Sequence, residues 1–226
     1  PSERRGLYNQ THFEITDNTT WYFKGLYNER ESTNQAAPEP IFLGPEAGTG
    51  NAYADNIFIS RTNPYNPFGI DFISTGPDAN LIFFGRRPIE GGARVFNQEV
   101  DTWYIATGFE GNFDLGARKL YWDLNYANSQ NKAEQTNYGS YNIRRIAQAL
   151  GPVDACNADP NCVPLNYFGG QGAGGGTITP EMLAYIQPII RDSSEQELEL
   201  YSANLTGDLF ELPAGALAFA AGYEYR

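Results

Sequence analysis

The two cysteines are the residues whose spacing most directly predicts a chemical bond. Cys156 and Cys162 are the only cysteines of the chain, and Asp159–Pro160, a strong turn former, lies between them. In an oxidising compartment this spacing predicts a local disulfide. A metal-binding pair is the alternative, but the chain has neither the second cysteine pair nor the nearby histidine that a zinc site would need. We therefore expect a disulfide and no metal site.

Two further features superficially resemble catalytic or phosphate-binding sites. His12 is the only histidine, and because no nucleophile motif lies near it, we expect a hydrogen-bonded residue on the polar face of a strand. The glycine-rich run 169–176 lacks the preceding strand, the following helix and the lysine of a phosphate-binding loop. It predicts a flexible external loop instead. We accordingly expect no enzyme activity, no catalytic residue and no cofactor.

Charged residues provide the other candidate sites. The pairs Arg86–Arg87 and Arg144–Arg145 lie in segments that we expect to be external loops. They are candidate ligand-facing residues, for an anionic solute or for lipopolysaccharide phosphates, and simple loop salt bridges are the alternative. A row of acidic residues alternates along one expected strand, where solvation is the main expectation and cation binding the alternative. These residues are Glu195, Glu197 and Glu199.

Composition excludes several classes of protein. A formal net charge of −12 argues against nucleic acid as a partner, because phosphate binding requires a basic surface. The longest apolar run, Ala216–Tyr223, is far shorter than the ~18 residues of a transmembrane helix. Aromatic residues make up 14% of the chain, and 24 glycines and 14 prolines indicate many turns and long loops. A chain rich in strands and turns fits these values.

Alternation of apolar and polar residues with a period of two predicts six strands. Tight turns are expected at Asp17–Asn18, 112–117 and 211–215, and two long connections at 31–97 and 131–194. The order of connections is therefore short, long, short, long, short, which is typical of an outer-membrane barrel and not of a soluble sandwich. The strands are Leu7–Thr16, Thr20–Arg30, Val100–Gly111, Leu120–Gln130, Glu195–Leu209 and Ala216–Arg226. The expected fold class is all-β, a section of an antiparallel transmembrane β-barrel that forms an open curved sheet.

The long connections are expected to contain short helices and to fold over the barrel mouth. Residues 142–150 have the apolar spacing of a helix, and Thr179 and Pro180 are suited to begin another. On the strands, one set of side chains should form a continuous outer surface, and charged or amide residues should line the inside. The outer set is Trp103, Phe109, Leu120, Trp122, Leu124, Leu217, Phe219 and Tyr223, and the inner set is Glu110, Asp123, Asn125, Glu224 and Arg226. The alternation is irregular near Leu200, where we expect a bulge or a change of environment.

Several long segments resemble TonB-dependent receptors, in particular the large proteobacterial group with long external loops. The segments are NPYNPFG (63–69), GRRPIEGGARVFNQEVDTWYIATGFEG (85–111), QTNYGSYNIRRIAQALG (135–151), VPLNYFGGQG (163–172), TITPEML (177–183) and the run 192–226. Together they extend over essentially the whole chain. The resemblance implies a barrel of about 22 strands closed by an N-terminal plug, energised through the TonB complex.

The chain departs from that family's pattern in what it lacks. It has no TonB box, no plug and no final strand ending in an aromatic residue, and Pro1 and Arg226 suggest an internal piece of the barrel domain, residues 1–226. The resemblance implies uptake of a scarce nutrient such as a siderophore, cobalamin, a saccharide or a peptide across the outer membrane of a Gram-negative bacterium. Expected partners are membrane lipid, lipopolysaccharide, the TonB complex and an unknown small solute. An extracellular β-rich binding or adhesion domain is the alternative.

Overall fold

A computed structural model of the chain describes residues 1–170 and 176–226. The strands are β1 (Ser2–Thr16), β2 (Thr19–Ala36), β3 (Ile41–Leu43), β4 (Phe58–Ile59), β5 (Phe72–Ile73), β6 (Phe84–Arg86), β7 (Arg94–Leu115), β8 (Arg118–Tyr138), β9 (Ile190–Leu212) and β10 (Gly215–Tyr225). The helices are α1 (Ala52–Asp55), α2 (Ile143–Leu150), α3 (Val153–Asn157) and α4 (Pro180–Ile186), and 3₁₀ turns lie at Pro45–Ala47 and Ile89–Gly91.

Contacts divide the chain into two units. Unit 1 contains Pro1–Ser32, Gln98–Gln135 and Asp192–Arg226, and unit 2 contains Thr33–Asn97 and Thr136–Arg191. The six long strands form one sheet in the order β1-β2-β7-β8-β9-β10. All six predicted strands are present, and antiparallel β-structure, the coarse part of the predicted fold class, is confirmed. The sheet is open in the described residues, since β1 and β10 each have one neighbour.

Three two-residue turns join neighbouring strands of this sheet, close to the predicted positions. Asp17–Asn18 joins β1 to β2, and Gly116–Ala117 and Pro213–Ala214 make the other two turns. Gly116 has a positive φ of 68°, which only glycine adopts without steric cost. Five of the six strands are longer than predicted, because the ladder hydrogen bonds do not depend on an apolar side chain. Strand β10 has the predicted length but begins and ends one residue earlier.

Side-chain contacts across the strands define an apolar face and a polar face in unit 1. On the apolar face, Trp21 Nε1 donates to Thr107 Oγ1 at 2.9 Å, and Trp103 Nε1 donates to Gln130 Oε1 at 2.9 Å. Because side chains alternate along a strand, the whole predicted outer set shares this face. These residues are Trp103, Phe109, Leu120, Trp122, Leu124, Leu217, Phe219 and Tyr223.

The predicted inner set lies on the polar face, and part of it forms a hydrogen-bonded network. Asn204 Nδ2 donates to Asp123 Oδ1 at 2.8 Å. Asn125 contacts Asp123 and donates to Ser202 Oγ at 3.1 Å, and it accepts from the Tyr22 hydroxyl. Arg226 pairs with Glu224 at 2.9 Å. The sequence pattern therefore sorted these side chains onto the two faces correctly.

The bulge predicted near Leu200 is at a different position. The β9–β10 ladder pairs Leu217 with Phe210 and Ala218 with Asp208, which leaves Leu209 as the extra residue. The shift keeps Phe210 on the same face as Leu205, and it keeps Asp208 on the polar face. A bulge changes the phase of alternation by one residue. Because the apolar residues of β9 also change phase by one residue here, the bulge keeps them on the apolar face.

Unit 2 has its own hydrophobic core. The pairs β3–β6 and β4–β5 form two small antiparallel sheets. As predicted, α2 buries one face, with Ile146 and Leu150 fully covered, and α4 begins with the Thr179 cap and Pro180. Among the helices of the described residues, none has the length and apolar character needed to cross a membrane.

A substitution at Gly108 tests whether the close contacts of the long-stranded sheet contribute to its stability. A Cβ at this position would overlap the carbonyl oxygen of Leu124 and lie 2.9 Å from the Tyr22 ring, whereas at Gly6 the nearest atom is 3.5 Å away. We expect Gly108→Ala to lower the free energy of unfolding by about 1–3 kcal/mol through overpacking. Urea titration in detergent, followed by tryptophan fluorescence, measures this. Gly6→Ala is the matched control, and equal midpoints for the two variants would contradict the packing described.

Candidate functional site

The predicted disulfide is present and closes a compact loop. Cys156 and Cys162 are bonded, with a Cα–Cα distance of 5.3 Å. Inside the loop, the Asp159 amide donates to the Cys156 carbonyl and the Cys162 amide donates to the Asp159 carbonyl, both at 3.0 Å. The bridge and these two bonds together fix the backbone of Asp159.

The Asp159 carboxylate joins this loop to two helices. Gln148 Nε2 of α2 donates to Asp159 Oδ2 at 3.0 Å, and the Tyr185 hydroxyl of α4 donates to Gln148 Oε1 at 2.9 Å. The Asn161 backbone N–H also donates to Asp159, at 3.0 Å. This backbone bond, followed by the bond from Gln148, lowers the pKa of Asp159 below its ordinary value. Asp159 is therefore an anion at neutral pH.

Arg145 and Arg144 start α2 beside the same residues. Arg145 Nη1 donates to the Tyr185 carbonyl at 2.9 Å, and its guanidinium lies 5.5 Å from the centre of the Tyr185 ring. The Asn142 side chain caps the helix by accepting from the Arg145 amide at 3.1 Å. Arg144 is exposed, and within residues 1–170 and 176–226 its guanidinium has no hydrogen bond or ion pair. Arg145 is thus held in place, whereas Arg144 has no partner in the described part of the chain.

These side chains line one polar groove of about 760 Å³, which we call the arginine groove. Its volume is within the ~300–1,000 Å³ range of small-molecule sites. Of the sequence candidates, it brings Arg144 and Arg145 together with the disulfide loop. Its lining offers charges, amides and one phenol, and so it can bind a polar solute. The lining residues are Asn142, Arg144, Arg145, Gln148, Asp159, Asn161, Glu181, Ala184 and Tyr185.

Arg86 and Arg87 lie elsewhere and have structural partners. The Arg86 side chain is only 7% exposed and forms an ion pair with Glu90, which is 8% exposed. Arg86 Nη1 also donates to the carbonyls of Asn166 and Tyr167, at 3.1 and 2.9 Å. Arg87 Nη1 donates to the Pro38 carbonyl at 3.0 Å. For Arg86 the structure therefore matches the salt-bridge alternative.

In the buried Arg86–Glu90 pair and the neighbouring Tyr141, each side chain has one polar atom without a hydrogen-bond partner in the described chain. Arg86 Nε, Glu90 Oε2 and the Tyr141 hydroxyl are buried without a hydrogen bond in the described chain. Burial, reinforced by the negative charge of Glu90, raises the pKa of Tyr141 to about 12. Breaking one side of a buried ion pair is strongly destabilising. This cluster therefore maintains the structure of unit 2.

The remaining candidates form hydrogen bonds on the long strands. His12 Nε2 lies 3.1 Å from Gln10 Nε2 on the polar face of unit 1, the kind of position expected for it. In the acidic row, Glu195 and Glu197 accept from Gln130, and Glu199 accepts from Tyr201 at 2.8 Å. Of the predicted glycine-rich loop 169–176, residues 171–175 lie outside the described part of the chain.

One acidic cluster was not predicted, because it depends on strand register. Carboxylate oxygens of Glu29, Glu31 and Glu99 lie within 4.8 Å of one another in unit 1. The first two are two residues apart on β2, which the sequence could have indicated, but Glu99 comes from β7. Gln148, Glu181 and Tyr185 of the arginine groove were also missed, because two helices distant in sequence, α2 and α4, supply them.

No protein-family model, curated protein or solved structure matches this chain. The resemblance to TonB-dependent receptors stays a prediction from the segments quoted above.

The lowered pKa of Asp159 predicts a pH dependence of unit 2. Because the folded pKa is below the unfolded one, Asp159 contributes stability above its ordinary value of 3.8, and this contribution is lost as the pH falls through the folded pKa. We expect Asp159→Asn to lower the urea midpoint of unit 2 at neutral pH, and the difference from the parent chain to shrink below about pH 4. A difference that stayed constant down to acid pH would contradict the assigned hydrogen bonds.

Removing the disulfide should loosen its loop and leave the sheet intact. We expect the double variant Cys156→Ser, Cys162→Ser to lose ~2 kcal/mol, chiefly because the open loop has more conformations. Amide hydrogen exchange should become faster in residues 156–162 and stay unchanged in β7 and β8. Loss of protection throughout the long strands would show that the bridge has a larger role.

Proposed function

We propose that the chain is a section of the barrel wall of an outer-membrane TonB-dependent receptor that takes up a scarce nutrient. The observation that carries this proposal is the two-faced sheet of unit 1. Its apolar face exposes large side chains, including Leu7 at 72%, Phe13 at 62% and Tyr223 at 68%. Exposed apolar patches of this extent are typical of surfaces that contact a membrane or another protein.

The length of the apolar face supports the proposal that this face contacts membrane lipid. On β7 it extends from Trp103 to Phe113, which matches the ~9–11 residues of a tilted membrane-spanning strand. The face is also rich in aromatic side chains along its middle, where Tyr126 and Tyr201 lie 4.9 Å apart between ring centres.

The polar face supports the same proposal from the other side of the sheet. Lys24, Glu110 and Asp123 lie on this face around a groove of about 560 Å³. Facing lipid, a lysine at mid-membrane would cost ~2–4 kcal/mol and a carboxylate less. Facing the interior of a barrel, the same groups are hydrated. We therefore assign the polar face to the barrel interior.

A barrel also requires further strands. The six strands of the open sheet are fewer than the ~8 of the smallest bacterial barrels, and the free edges of β1 and β10 expose backbone N–H and C=O groups. In lipid each unpaired group costs several kcal/mol. The proposal accordingly includes additional strands that pair with both edges.

The connections favour a receptor over a purely structural wall. Along the antiparallel order, the two-residue turns fall at one end of the strands and both long connections at the other, which is the asymmetry of outer-membrane barrels. The long connections fold into a cored unit that contains the arginine groove. Solute capture is the role that we propose for this groove. Energy for uptake would come through TonB and a plug, as the resemblance implies.

Tryptophan quenching by brominated lipid tests the membrane assignment. Trp21, Trp103 and Trp122, the three tryptophans of the chain, all lie on the apolar face. In vesicles with bromine on the acyl chains, we expect strong quenching of a variant that keeps Trp122 and carries Trp21→Phe and Trp103→Phe. Steady-state fluorescence against unbrominated vesicles measures the effect.

The neighbouring position on the polar face is the matched control. A variant with all three tryptophans changed to phenylalanine and with Tyr121→Trp should be quenched far less, because Tyr121 and Trp122 point to opposite faces. Equal quenching of both variants would contradict the assignment of faces. Absence of quenching in both, in a chain that stays monomeric without detergent, would favour the extracellular binding domain.

A further inference from the structure

We propose that the arginine groove binds a short peptide with free ends, its carboxylate on Arg144 and Arg145 and its ammonium group on Asp159 and Glu181. This inference rests on the proposed function for its biological role as a substrate site. The binding itself depends only on residues of unit 2.

The positive side of the groove suits a carboxylate. Arg145 is held by the Tyr185 carbonyl at 2.9 Å, which leaves the other N–H groups of its guanidinium for a ligand. Arg144 has no hydrogen bond or ion pair to any described residue. Guanidinium groups bind carboxylates through two parallel hydrogen bonds, and such charge-assisted bonds are about twice as strong as neutral ones. Arg144 and Arg145 both line the groove and so bring donors of this kind to it.

The negative side is equally well defined. Glu181 is exposed at the start of α4, and a hydrogen bond from Thr179, followed by one from its own backbone N–H, lowers its pKa. Asp159 is an anion for the reasons given above. Both groups are therefore available to an ammonium group, which donates three hydrogen bonds.

The two signs of charge do not form direct ion pairs, although Arg145 lies close enough to contribute to the lowered pKa of Asp159. In the described part of the chain, no ion pair within 4.0 Å joins either arginine to Asp159 or Glu181. Opposite charges that line one groove without pairing match a ligand that itself carries both charges at separate ends. A simple anion such as inorganic phosphate would meet attraction from the arginines and repulsion from the carboxylates.

The lining also disfavours recognition by ring stacking. Within residues 1–170 and 176–226, Tyr185 is the one aromatic residue that lines the groove, and it is 7% exposed, with the Arg145 guanidinium over its ring. Other rings of unit 2, such as Phe72, Phe84 and Phe168, pack against one another. Among the described residues of the groove, a sugar or a catechol therefore finds no free ring.

Calorimetric titration of the full chain in detergent with trialanine tests the proposal. We expect measurable binding, with at least tenfold weaker binding of trialanine amide and of N-acetyl-trialanine. Arg144→Gln should weaken trialanine at least tenfold and leave the amide unchanged, because the variant and the amide remove the same contact. Asp159→Asn should likewise weaken trialanine and leave the acetylated peptide unchanged.

The controls separate charge, folding and function. Arg118→Gln makes the same charge change at the first residue of β8 and should bind as the parent chain does. Near-ultraviolet circular dichroism checks that each variant folds. No binding of trialanine at millimolar concentration, equal binding of the three peptides, or equal effects of Arg144→Gln on trialanine and its amide would each overturn the proposal. Lipid quenching of Trp122 without trialanine binding would overturn this substrate class alone, and binding without quenching would overturn the receptor alone.

Discussion

Alternation of side chains along hydrogen-bonded strands is the constraint on which the rest of unit 1 depends. Because β2 pairs with β1 and β7, Trp21 and Tyr22 must point to opposite sides of the sheet. Each bonds a residue on its own face: Trp21 bonds Thr107 on the apolar face, and Tyr22 bonds Asn125 on the polar face. A one-residue slip would exchange the two faces of a strand. The bulge at Leu209 shifts the alternation of β9 by one residue at the point where its apolar residues change phase. The apolar face therefore stays continuous across β9 and β10.

Sequence reasoning predicted those features of the fold that have a short period. Strand β7 was recognisable because Trp103, Ile105 and Phe109 alternate with smaller or polar residues. Its beginning at Arg94 was not, since residues 94–99 pair through the backbone whatever their side chains are. The Leu198 and Leu200 positions suggested a bulge too early. The alternation with Tyr201 places them on the polar face, and only the partner strand reveals where the phase changes.

The types of the candidate residues could be read from the sequence, but the burial and the partners of each residue could not. Arg86–Arg87 and Arg144–Arg145 are the same dipeptide, and both lie in long connections. Yet Arg86 is buried against Glu90, and Arg144 is exposed at the groove. Glu90 follows Arg86 by four residues, a spacing that can indicate a local ion pair. The carbonyls of Asn166 and Tyr167, which complete the burial, come from a distant segment that no local pattern identifies.

The arginine groove keeps its charges available because neutral groups hold them. Asp159 is fixed by the Gln148 amide and the Asn161 backbone, and Arg145 by the Tyr185 carbonyl. If Asp159 were instead paired directly with Arg145, a ligand would have to break that ion pair before it could bind either group. Dipoles orient the charged groups without cancelling them, which is the preorganisation that reduces the cost of binding. The disulfide belongs to the same arrangement, since it fixes the backbone from which Asp159 reaches Gln148. Uncharged groups therefore hold the charged side chains of the groove in place, and these charged side chains stay available to bind the proposed solute.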